Sequence, residues 1–147
     1  MDSNTLHSIA YSSDDFLSDV SGVPGDLASL YPRDELETPL EWEVIELPEV
    51  GPQGLVLIRS SKTQQYLSLE SNPGHHSPND KVILDENRQQ RWVLQETEKE
   101  GQYFIQLPQE DDGGVDLVMD AIWADDQLTV ALQPKKDQEQ TWTIQDK

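Results

Sequence analysis

Three tryptophans, Trp42, Trp92 and Trp142, stand 50 residues apart, and two positions after each comes an aliphatic residue: Val44, Leu94 and Ile144. The same interval picks out Leu17, Leu67 and Leu117, the first two preceded by the aromatics Phe16 and Tyr66. One indole triple and two aliphatic triples at a single period define an internal repeat, and a repeat of this length constrains architecture before any single residue does. The copies run over approximately residues 1–50, 51–98 and 99–147. A chain of 147 residues can bury one sizeable core and is too short for two. The whole of it, 1–147, therefore reads as one domain.

Each copy breaks into short runs of strand chemistry. The first is the most eroded: Leu6 to Tyr11, then Phe16 to Ser18 after the turn residues Ser12 to Asp15, then Glu41 to Val44 in alternation. Between them Gly22, Pro24 and Gly25 break the chain. Asp26 could cap a helical turn to Leu30, although an irregular loop into a strand fits better. The second copy offers Leu55 to Ile58, Gln65 to Leu69, Lys81 to Leu84 and Arg91 to Leu94. The third repeats the order with Tyr103 to Leu107, Val115 to Met119, Leu128 to Leu132 and Thr141 to Ile144. No segment longer than about ten residues shows clean helical periodicity, so the chain reads as all-β.

Three copies of four short strands must hide their edges. A propeller needs at least about four blades. Three copies close instead into a small barrel with threefold pseudosymmetry, capped by three hairpins, which is a β-trefoil. In that architecture the three tryptophans share one core, and truncating any of them to Ala costs roughly 3–5 kcal/mol.

The charge balance excludes several classes of partner. The chain has 29 acidic against 10 basic residues, a net charge of −19, and such a surface repels phosphate backbones and anionic lipid. Nucleic acid and membrane are therefore not expected partners. The absence of cysteine removes disulfide frameworks, thiolate metal sites and cysteine nucleophiles together. Met1 to Thr5 lead into no apolar run, as a secretory signal would require, and the expectation is a cytoplasmic protein. His75-His76 with His7 are too few for zinc. Glu110 to Gly114 and Asp125-Asp126 lack the alternating oxygen ligands of a calcium loop. No nucleophile elbow, phosphate loop or dinucleotide fingerprint occurs. No metal, no cofactor and no catalysis are expected.

Two copies end in Gln-x-Trp, as Gln90-Arg91-Trp92 and Gln140-Thr141-Trp142, while the first has Leu40-Glu41-Trp42. This pattern resembles the ricin-B-like β-trefoil family over roughly residues 5–145. The resemblance implies a lectin: an acidic residue after the second strand accepts two sugar hydroxyls, an aromatic ring stacks on the sugar face, and an amide before the Gln-x-Trp fixes orientation. In the third copy these would be Asp120, Trp123 from a neighbouring loop, and Gln138. This carbohydrate reading expects Trp123 to project into solvent within reach of Asp120. In the second copy Glu70 and Gln89 match, and Val82 to Asp85 offers no ring. The first has Asp19 alone. The implied partner is a carbohydrate or glycoprotein met at degenerate sites.

A small, cysteine-free β-trefoil also resembles the fungal protease inhibitors of the mycocypin and cospin type, in which loops enter protease clefts. For a trypsin-like enzyme the best loop is Tyr31-Pro32-Arg33-Asp34, where proline restricts the backbone beforehand and presents Arg33. For an asparaginyl protease it is Asn72, awkwardly followed by Pro73. A third alternative is a protein-interaction trefoil without sugar binding.

Overall fold

A computed structural model describes residues 6–11, 15–18, 28–32, 41–47, 55–70, 79–87, 89–108, 117–124, 127–136 and 140–146. Among these residues there are twelve strands and no α-helix. The first repeat supplies β1 (Leu6–Tyr11), β2 (Asp15–Ser18), β3 (Ser29–Pro32) and β4 (Trp42–Glu46). The second supplies β5 (Leu55–Ser60), β6 (Tyr66–Leu69), β7 (Val82–Asp85) and β8 (Trp92–Glu96). The third supplies β9 (Gln102–Gln106), β10 (Leu117–Ala124), β11 (Gln127–Pro134) and β12 (Trp142–Asp146). Asp26 and Leu27, within the possible helical turn, lie outside the described residues, and by Ser29 the chain is strand.

Six of these strands close on themselves. The antiparallel pairs β1–β4, β4–β5, β5–β8, β8–β9, β9–β12 and β12–β1 form a ring, which leaves none of the six with a free edge. The other six make three hairpins, β2–β3, β6–β7 and β10–β11, one per repeat. The hairpins meet about the pseudo-threefold axis. Ala28 N donates to Val82 O at 2.9 Å, and Val130 N donates to Ala28 O at 3.1 Å. These three residues precede by two the matched core leucines Leu30, Leu84 and Leu132, and all are buried. The fold is a β-trefoil.

Alternation along each strand puts one side-chain set inside the barrel. The register aligns Val44 with Ile58, Leu94 with Ile105 and Ile144 with Ile9, so one apolar pair per repeat fills the same level. Trp42, Trp92 and Trp142 are fully buried in that single core. Each indole also satisfies its one donor in the same way. Trp42 Nε1 donates to Leu17 O at 3.2 Å, Trp92 Nε1 to Leu67 O at 3.2 Å, and Trp142 Nε1 to Met119 O at 3.1 Å. A buried indole left without an acceptor would cost the desolvation of its N–H, and here the ring locks the second strand of its own repeat to the fourth.

That bond corrects one part of the repeat reading. The equal spacing of Leu17, Leu67 and Leu117 implies three equivalent positions, yet the carbonyl that receives Trp142 belongs to Met119. Register agrees: Leu17 faces Leu30, Leu67 faces Leu84, and Met119 faces Leu132. The carbonyl lies 25 residues before the tryptophan in the first two repeats and 23 in the third, so the exact period slips there by two. The third hairpin is also longer, eight residues per strand against four in the other two. Its pairing runs out to Ala124 opposite Gln127, which places Trp123 in a strand rather than in a loop.

Candidate functional site

Once the Trp142 indole has fixed Met119, the next residue is determined. Asp120 takes the opposite face of β10 from Met119, and its pairing partner on β11 is Ala131. The Asp120 side chain is half-buried and held from three directions. Its Oδ1 accepts the Ala121 backbone N–H at 2.8 Å and the hydroxyl of Tyr11. Its Oδ2 accepts Gln140 Nε2 at 3.1 Å.

Gln140 is the first residue of the third Gln-x-Trp, and it is buried. Its Nε2 also donates to Pro134 O at 3.0 Å, and its Oε1 accepts the Lys136 N–H at 2.7 Å. The amide thus ties the end of β11 to the start of β12, and with that framework fixed it orients the Asp120 carboxylate. Tyr11 arrives from the far end of the chain because β1 pairs with β12, Tyr11 opposite Trp142. Its ring meets the Trp142 ring edge-on, centroids 5.0 Å apart at 64°. Aromatic edge contacts of this kind add about 0.5–1.5 kcal/mol beyond area burial.

The other repeats lack this cluster. Register matches Asp120 to Ser68 in the second repeat and Ser18 in the first. Ser68 is fully buried, faces Ile83, and its Oγ has no hydrogen-bond partner. Gln90, the counterpart of Gln140, turns its Nε2 to the carbonyl of its own neighbour Arg91 at 2.9 Å.

Of the residues the sequence singles out, Asp120 lies at the centre of this cluster. Trp123 is 73% exposed and so projects into solvent. It lies three residues beyond Asp120 on the same strand, about 10 Å along and on the opposite face, and the two side chains do not converge. Glu70 and Gln89 are both exposed, and Glu70 stands two residues past Ser68, so it is not the positional counterpart of Asp120. Gln138, Arg33 and Asn72 lie outside the described residues. Sequence reasoning missed Tyr11, whose partner is 109 residues away, and it used Gln140 only as a fold marker. The signal for Gln140 was present, because a buried amide two residues before a core indole must find acceptors. Among the described residues no group of three or more His, Cys, Asp or Glu side chains is placed to hold a metal ion, and no helix is long and apolar enough to cross a membrane.

Solved structures share this architecture over nearly its full length. A designed threefold-symmetric protein, ThreeFoil, superposes with a TM-score of 0.74 at 15% identity, covering 97% of this chain and 99% of its own. The ricin B-like lectin of Macrolepiota procera, solved with lactose, gives 0.74 at 18% identity over 99% of this chain and 97% of its own. The Rhizoctonia solani agglutinin gives 0.75 at 13% identity over 97% and 95%. The fold is that of the ricin B-like lectins. The sequence itself matches no family model and no curated protein. In this β-trefoil, the matched position on the second strand of each repeat carries a carboxylate only in the third repeat, with serine in the other two.

Proposed function

We propose that the protein is a carbohydrate-binding protein that acts without catalysis, and that its one equipped site is the third repeat around Asp120. One observation carries this reading: a partly exposed carboxylate on the face of β10 opposite the core residue Met119, oriented by the buried amide of Gln140. A fixed carboxylate is the group that reads sugar hydroxyls, since it accepts hydrogen bonds in defined directions. The likeness to two lectins of the same fold, one of them solved with lactose, supports the same class of ligand. Trp123 is exposed on the same hairpin but does not share a single sugar ring with Asp120. It is available to a second residue of a longer glycan.

A glycan array, followed by titration of its best ligands, tests the proposal. Wild-type protein is expected to bind a defined set of glycans, and Asp120→Ala to lose that binding while keeping its fold by circular dichroism. Binding that survives Asp120→Ala at full strength removes this site from the account.

A further inference from the structure

The hydrogen bonds of Asp120 restrict what else it can accept. An ionised carboxylate has about four lone-pair sites, two on each oxygen. Oδ1 has taken two donors, the Tyr11 hydroxyl and the Ala121 N–H. Oδ2 has taken one, from Gln140. One site remains, on Oδ2. A ligand presenting two neighbouring hydroxyls, one to each oxygen, cannot be accommodated while Tyr11 stays in place.

Tyr11 is also firmly placed. Its backbone is paired to Trp142 across the β1–β12 seam, and its ring is packed edge-on against that buried indole. The positions that match Tyr11 around the barrel are Ser60 and Leu107, judged by their distance from the aligned isoleucines Ile9, Ile58 and Ile105. Only the repeat that has a carboxylate faces a phenol of the chain's own. Apolar packing fixes the ring, so the hydroxyl meets the carboxylate at no further ordering cost.

We propose that the Tyr11 hydroxyl occupies the position of a ligand hydroxyl on Asp120. This inference rests on the carbohydrate reading above and deepens it. As folded, the site takes one hydroxyl on Oδ2, and a vicinal diol must displace Tyr11 to bind through both oxygens. Tyr11 is therefore an internal competitor that weakens binding of diol ligands and sets the specificity of the site.

The test is Tyr11→Phe, which keeps the ring and its packing on Trp142 and removes only the hydroxyl. Wild type, Tyr11→Phe, Asp120→Ala and the double variant are compared on the glycan array, then by calorimetry with lactose and with analogues lacking one hydroxyl of each vicinal pair. Tyr11→Phe is expected to bind diol-bearing glycans about tenfold or more tightly than wild type, to bind the deoxy analogues no better, and to lose the gain in the double variant. Unmutated protein labelled at tyrosine Cζ gives a second readout, in which diol ligands and not deoxy analogues shift one tyrosine signal. Wild-type binding that depends on Asp120, with Tyr11→Phe equal or weaker, overturns the role of Tyr11 and leaves the carbohydrate reading intact. Failure of both wild type and Tyr11→Phe to bind any glycan overturns both.

Discussion

The second and third repeats share a backbone and differ in what they do with the same few positions. Both bury a tryptophan, both donate its N–H to the second strand of the repeat, and both place a glutamine two residues before it. In the third repeat that glutamine orients a carboxylate. In the second the matched position is a buried serine whose hydroxyl has no partner, and the glutamine's Nε2 donates to the carbonyl of its own neighbour. The indole is therefore a requirement of the fold, while the residue one step past its acceptor is free to specialise. The repeats thus diverge at a position outside the apolar cluster they share.

The largest effects should fall on what the repeats share. Trp92→Ala and Trp142→Ala are each expected to lose roughly 3–5 kcal/mol in urea denaturation, because each leaves a cavity and an orphaned carbonyl. Trp142→Ala should cost about 0.5–1.5 kcal/mol more, since Tyr11 loses its edge contact as well. Equal losses would mean that Tyr11 does not lean on the indole.

Next comes the position where the repeats diverge. Ser68→Asp places a carboxylate at a fully buried position opposite Ile83, and an uncompensated buried charge costs about 3–5 kcal/mol. If this variant is as stable as wild type, the second repeat could have carried the same site, and the contrast fails. In the opposite direction, Asp120→Ala strands the Tyr11 hydroxyl and part of Gln140, for about 1–3 kcal/mol by equilibrium unfolding. Ser68→Ala removes an unpartnered hydroxyl and should be neutral or slightly stabilising in the same assay.

The glutamines sharpen the comparison further. Gln140→Ala, losing at least three hydrogen bonds in a buried setting, is expected to cost about 1–3 kcal/mol, and Gln90→Ala, at a partly exposed position, less. The smallest effect belongs to Arg59 of the second repeat. Arg59 Nε donates to Glu43 Oε2 at 2.6 Å, and its guanidinium lies 5.7 Å from the centre of the Tyr66 ring. The hydrogen bond that Arg59 donates to Glu43 is the main cause holding the guanidinium above its already high ordinary pKa. The pair is partly solvent-exposed, so Arg59→Ala should cost less than about 1 kcal/mol, and less again in molar salt.

The sequence makes the architecture legible because a threefold core repeats its demands. Each copy needs one indole and its aliphatic neighbours at the same depth, and selection for packing leaves that period visible. The third hairpin was harder to read. Surface hairpins tolerate changes in length at little cost, and a two-residue slip between Met119 and Trp142 makes Leu117 look like the third member of a series that belongs to Met119. Half of the candidate site was legible. Asp120 stands out as an acidic residue after a strand, while its relation to Trp123 depends on whether three residues span a loop or a strand. Tyr11 could not be found from local pattern, because its role exists only once the first and last strands lie side by side.

That seam has a consequence for how the molecule comes to exist. β1 finds no partner along its full length until β12 has been made, since His7 pairs with Asp146 and Tyr11 with Trp142. Before that, β1 is paired only in part, by β2 and β4, and closing so large a loop is slow. Until then the barrel is open, and the cluster of Tyr11, Asp120 and Gln140 is assembled by the same event that seals the structure.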